Sequence, residues 1–89
     1  MKSIMENATT LDVRTPEEFS GSHYPNAVNI PLNELPQRLA EIKEMKHPIV
    51  AYCRSGNRSG MAVSILKQNG LIGVHNGGAL SDLLQQKNN

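Results

Sequence analysis

A chain of 89 residues with a formal net charge of +1 is one domain by length, and such a chain buries only about 60–65% of its unfolded surface, so a substrate must bind near the surface. Near-neutral charge, with only Tyr24, Tyr52 and Phe19 as aromatics, argues against nucleic acid and anionic membranes as partners. Cys53 is the only cysteine, which excludes an internal disulfide. No apolar run reaches the roughly 18 residues that span a bilayer. Met1–Thr10 lacks the apolar core of a signal peptide, which points to a cytoplasmic protein.

Ala8–Val13 is β-prone, with apolar residues at alternate positions, and predicts a strand. Thr15-Pro16-Glu17-Glu18 follows as a capping box: Thr15 as N-cap, Pro16 at the first helical position, Glu18 three residues after the cap. The short helix runs through Phe19 and Ser20 and ends at Gly21. Ala27–Ile30, between Pro25 and Pro31, predicts a second short strand. Leu32, Leu35, Leu39 and Ile42 fall on one helix face, with Asn33 as the expected N-cap and Pro36 in the first turn. Pro48–Cys53 is a continuous apolar run that suits a strand buried on both faces, hence a parallel sheet. Arg54–Arg58 contains no apolar residue. Ser59–Asn69 turns helical, with Ala62, Ile65, Leu66 and Asn69 on one side and Gly70 just past the end. Leu71–His75 predicts a last strand, Asn76-Gly77-Gly78 a turn, and Ala79–Lys87 a final helix with Leu80, Leu83 and Leu84 inward. Lys87–Asn89 is expected to fray. Alternating strands and helices describe an α/β domain over 1–89, its mostly parallel central sheet flanked by helices on both faces.

The segment Cys53-Arg54-Ser55-Gly56-Asn57-Arg58-Ser59 lies between a buried strand and a helix, at the carboxyl end of the strand, where open α/β sheets bind ligands. A lone cysteine can be a small hydrophobe, an incidental thiol or a nucleophile. Here successive loop amides would form an anion-binding nest. The following helix contributes unpaired N–H groups and partial positive charge. Arg54 and Arg58 add full charges, and Gly56 supplies backbone freedom. All of these favour thiolate over thiol. Two arginines flanking so small a loop repel each other unless an anion or carboxylate sits between them.

Four motifs in order resemble the single-domain rhodanese family. Leu11-Asp12-Val13-Arg14-Thr15-Pro16-Glu17-Glu18-Phe19 is similar to its opening motif, and Ala27-Val28-Asn29-Ile30-Pro31-Leu32 to its middle one. Cys53–Ser59 is similar to its active-site loop, and Val74 with Asn76-Gly77-Gly78 to its closing one. The resemblance implies a rhodanese-like fold, Cys53 as the sulfur-carrying nucleophile, and Arg54, Ser55, Gly56, Asn57, Arg58 and Ser59 as the binding loop. It also suggests that Asp12 and Arg14, on one side of a strand, hold structure around that loop, as an ion pair would. Two departures stand out. Gly21-Ser22-His23-Tyr24-Pro25-Asn26-Ala27 is one residue longer than usual between Gly21 and His23 and carries Asn26 where Gly is usual, an asparagine tolerating left-handed φ. Met1–Thr10 is also short for the strand and helix that often precede the opening motif.

The resemblance implies a thiosulfate-type anionic donor and a thiol or cyanide acceptor, or a partner protein in a sulfur relay. No cofactor or metal is expected; His23, His47 and His75 are scattered. A monomer is expected. Two other classes compete. Phosphatases and arsenate reductase-like enzymes use related loops; protein tyrosine phosphatases place Arg after five intervening residues, whereas Arg58 follows Cys53 after four, which makes a smaller cradle. Non-catalytic rhodanese-like binding modules typically lack the cysteine that is present here.

Overall fold

The computed structural model describes residues 7–87. Met1–Glu6 and Asn88–Asn89, on which the expectations for a short N-terminal stretch and a frayed C terminus largely rest, lie outside them. Four strands form one sheet: β1 (Thr9–Asp12), β2 (Val28–Asn29), β3 (Ile49–Cys53) and β4 (Val74–Ala79), in the order β2-β1-β3-β4. Every pairing is parallel. β3 is flanked on both edges and all five of its residues are buried, as its unbroken apolar run requires.

Strand alternation divides the core in two. Ile49, Ala51 and Cys53 face Leu11, Val13, Leu35, Ile42, Ala62 and Leu66 on one side. Val50 and Tyr52 face Leu80 and Leu83 on the other, with Tyr24, Ala27 and Leu84 packed at the margin. Helix α3 (Asn57–Gln68) therefore covers the first face and α4 (Leu80–Lys87) the second. Among the described residues no helix is long and apolar enough to cross a membrane.

Helix α1 (Pro16–Gly21) opens on the expected capping box, with both reciprocal bonds between Thr15 and Glu18 in place. The stretch after β2 differs from expectation. Leu32–Arg38 is a 3-10 helix preceded by Pro31, with no side-chain cap, and only Leu39–Lys43 is α-helical, here α2. Asn33 is thus not an N-cap. The cause is Pro36, which has no N–H for an α-type bond to Leu32 and whose ring would press on that carbonyl. The inward face survives, with Leu35 and Ile42 fully buried and Leu32 and Leu39 partly so.

The last strand also differs. Asn76-Gly77-Gly78 is no turn but the middle of β4. Asn76 pairs with Ala51 and Gly78 with Tyr52, so Gly77 is an extra, bulged residue. A Cβ at Gly77 would lie 2.7 Å from Val50 Cγ1, closer than side chains approach. The turn-like composition here serves a bulge and a close strand approach.

Candidate active site

Cys53 ends β3, Gly56 adopts φ +96 as the cap of α3, and Asn57 begins that helix. Helix α3 starts two residues earlier than its apolar pattern suggests, so Ser59 belongs to its first turn. Gly56 has no side chain to cap the helix, which leaves first-turn N–H groups for another acceptor. That acceptor is sulfur. Gly56 N–H donates to Cys53 Sγ at 2.9 Å and Ser59 N–H at 3.4 Å, and the Ser59 hydroxyl lies 3.5 Å away. Cys53 and Ser59 are both fully buried.

These contacts decide the ionisation of Cys53. Burial, the largest single influence, pushes the thiol up. The Ser59 hydroxyl and the N–H groups of Ser59, Ser55 and Gly56 together outweigh it and bring the pKa down to about 7. The expected thiolate bias is therefore present, but its leading source is hydrogen bonding rather than the arginine charges.

Both arginines are deployed elsewhere. Arg58 reaches from α3 to α1, where NH1 and NH2 donate to the two carboxylate oxygens of Glu18 at 2.7 and 2.9 Å. A carboxylate does meet one of the two arginines: Glu18, which the sequence marks only as a capping residue, pairs with Arg58. Arg54, with Ser55 and Asn57, is exposed on the loop. It lines an open cleft of about 550 Å³, with Arg14, Glu17 and Ser22 on one side and Leu80 and Leu84 of α4 on the other.

Beneath the loop lies a buried polar network. Asp12 accepts from Arg14 Nε at 3.0 Å, from Arg14 NH2 at 2.7 Å and from the Tyr52 hydroxyl at 2.7 Å. Arg14 NH2 also donates to the Ser22 carbonyl at 2.6 Å, and Tyr24 N–H donates to the Tyr52 oxygen at 3.0 Å. Burial and the bond to Asp12 push the Tyr52 phenol well up. The Asp12 hydrogen bond raises Arg14. Asp12 and Arg14 therefore form the expected ion pair, and they anchor the lengthened Gly21–Ala27 stretch. Asn26 adopts φ 66, the left-handed conformation anticipated for it.

Asn76 is the site residue that the sequence hides, because Asn76-Gly77-Gly78 has the composition of a turn. Its Oδ1 accepts from the Ser59 hydroxyl at 2.7 Å and its Nδ2 donates to the Gly56 carbonyl at 3.3 Å. The available signal was its place directly after the strand expected over Leu71–His75, at the end of a sheet where α/β domains bind ligands.

The chain matches the family described as Rhodanese-like domain over residues 1–81. It is 37% identical over 78 residues to the thiosulfate sulfurtransferase PspE of Escherichia coli, covering 86% of this chain and 75% of that protein. It is 45% identical to YqhL of Bacillus subtilis, an uncharacterized protein, but spans only 54% of its length. A solved rhodanese with anions from E. coli superposes at a TM-score of 0.77 with 37% identity, covering 84% of this chain and 89% of that one. The human single-domain sulfurtransferase TSTD1 superposes at 0.80 with 28% identity, covering 96% and 89%. Motif order, a parallel sheet with a cysteine loop at its carboxyl edge, and these likenesses agree: the chain belongs to the rhodanese-like domain family, among relatives named as sulfurtransferases.

Proposed function

We propose that this protein is a thiosulfate sulfurtransferase that carries sulfur as a persulfide on Cys53. The observation that carries the reading is the ring of N–H and O–H donors around a buried sulfur, which holds its pKa at about 7. A terminal persulfide sulfur is an anion of similar demand.

The Cys53 thiolate attacks the outer sulfur of thiosulfate. The new S–S bond forms as the donor's own S–S bond breaks, and sulfite leaves with the electron pair. A second nucleophile, cyanide or a thiolate, then takes the outer sulfur and returns Cys53 as thiolate. Splitting the transfer in two is covalent catalysis with ping-pong kinetics. Arg54, exposed at the cleft, holds the anionic donor. Arg58 shapes the loop through Glu18. Ser55, Gly56 and Ser59 stabilise the sulfur through their N–H groups, while Asn57 completes the loop backbone. With its guanidinium forked to Glu18, Arg58 is not free to clasp a phosphoryl group, which favours sulfur over phosphate.

The test is to incubate the protein with thiosulfate, remove the excess and take its intact mass with and without reductant. The expected result is a reductant-sensitive gain of one sulfur atom, absent in Cys53→Ser. A thiosulfate-treated protein of unchanged mass would overturn the reading and favour a binding module.

A further inference from the structure

Three acceptors converge on one hydroxyl. Ser59 Oγ lies 3.5 Å from Cys53 Sγ, 3.1 Å from the Gly56 carbonyl oxygen and 2.7 Å from Asn76 Oδ1, yet a serine hydroxyl has a single hydrogen to donate. The shortest contact is to Asn76, and the orientation of that amide is not arbitrary. Gly78 N–H donates to Oδ1 at 2.9 Å and Nδ2 donates to the Gly56 carbonyl at 3.3 Å. Turned over, the amide would set NH2 against N–H and oxygen against oxygen. Asn76 therefore presents an acceptor to Ser59, and Ser59 must be the donor.

The consequence depends on the state of the sulfur. As a thiol, Cys53 donates S–H to Ser59 Oγ, and the Ser59 proton is free to serve Asn76. As a thiolate, the sulfur has no hydrogen and needs the Ser59 proton for itself. We infer that Asn76 is a positioning residue for sulfur transfer, competing with the Cys53 sulfur for the Ser59 hydroxyl proton and so setting how readily the thiolate forms. The inference deepens the proposed function and rests on Cys53 being its nucleophile.

The chain is shaped around this amide. The bulge at Gly77 sets Asn76 opposite Ala51 and Gly78 opposite Tyr52. A Cβ at Gly60 would stand 3.4 Å from Asn76 Nδ2, at the edge of a comfortable contact. Asn76 is itself exposed, so replacing it leaves the core intact.

The charged and titratable groups on the elements around Cys53 are Arg54 in the loop, Arg58 and Lys67 on α3, Glu17 and the Arg58 partner Glu18 on α1, Asp12 at the end of β1 with its partner Arg14, Lys43 on α2, Tyr52 on β3 and His75 on β4. Glu34, Arg38 and Glu41, on the 3-10 helix and α2, pair with one another. None of these is altered in the variants below, so a shift among them reports on Ser59.

Because Cys53 is the only cysteine, ultraviolet thiolate absorbance followed between about pH 5 and about pH 9, below the ordinary range of phenol ionisation, reads this sulfur and needs no sulfur donor. Asn76→Ala frees the Ser59 proton, and the midpoint should fall by about half a pH unit, the size of one net hydrogen bond. Asn76→Asp keeps the acceptor and adds negative charge, so its midpoint should rise above that of the parent protein. In a Ser59→Ala background, Asn76→Ala should move nothing. A midpoint that Asn76→Ala leaves unchanged or raises would overturn the inference, as would a shift that persists without the Ser59 hydroxyl. Failure of persulfide formation with thiosulfate, by contrast, bears on the proposed function and leaves these titrations interpretable.

Discussion

Glu18 joins the cap of α1 to the Cys53 loop through Arg58, and Glu18→Gln separates its two jobs. Its Oε1 accepts from Thr15 N–H at 3.1 Å and from the Thr15 hydroxyl at 3.2 Å while also accepting from Arg58 NH1 at 2.7 Å; Oε2 accepts from Arg58 NH2 at 2.9 Å. A glutamine keeps an oxygen that can close the capping box but loses the charge and half of the fork. The Arg58 hydrogen bonds, helped by Thr15 and opposed by burial, bring the Glu18 pKa down from 4.5 to about 2. Unscreened, that shift corresponds to about 3 kcal/mol. The side chain keeps 28% of its surface in water, so about 1–2 kcal/mol survives screening. Because the folded pKa is depressed, this stability is present above the unfolded value and is lost as pH falls through the folded one. In urea unfolding, Glu18→Gln should have a lower midpoint than the parent at neutral pH, with an unchanged slope. The gap should close as pH falls from about 4.5 towards about 2. A gap of constant size across that window would mean that the loss comes from packing or capping, and no gap at neutral pH would refute the ion pair's contribution.

Arg54→Ala should raise KM for thiosulfate more than it lowers kcat, since an exposed charge acts on the donor before and during reaction; steady-state kinetics with an unchanged KM would remove Arg54 from the donor site. Asp12→Asn leaves Arg14 buried without its counter-charge and should cost about 3 kcal/mol in chemical denaturation. Gly77→Ala drives a Cβ to within 2.7 Å of Val50 Cγ1 and should destabilise by about 1–3 kcal/mol. At Gly21 nothing lies within 4 Å of an added Cβ, so Gly21→Ala should leave the thermal midpoint near that of the parent.

The parts of the fold legible in the sequence were those with a local cause. Thr15 and Glu18 cap a helix wherever they are placed, and an apolar run such as Ile49–Cys53 has few places to go but the centre of a parallel sheet. Gly56 and Asn26 announced their positive φ. The parts that were not legible depend on partners distant in the chain. Asn76-Gly77-Gly78 has the composition of a turn, and only the crowding of Val50 and Ala51 against Gly77 reveals it as a bulge within a strand. Pro36 was tolerable in an α-helical first turn, but the helix starts at Leu32 behind Pro31, so the proline falls where its missing N–H matters. At the site, Cys53 and its loop were apparent from residue type and spacing. The direction of Arg58 was not, because its carboxylate partner is forty residues away.

A site of this construction suits a sulfur that must be both taken up and given away. A thiolate held by cationic charge alone would ionise readily, but its low pKa would also make it a weaker nucleophile. Here the cationic charge of Arg58 is matched by Glu18, and the stabilisation of the sulfur comes chiefly from N–H and O–H dipoles at 2.9–3.5 Å working against full burial. The balance leaves the thiol near neutral pH, where an attacking thiol is most effective. In the proposed transfer, the same near-neutral value would make Cys53 a competent leaving group when an acceptor removes the outer sulfur. Arg54, exposed at the rim, can meet an anionic donor without lowering the nucleophilicity of a sulfur that it does not touch. Separation of donor attraction from sulfur stabilisation predicts that changes at Arg54 act mainly on KM, and changes at Ser59 mainly on the pH at which transfer begins.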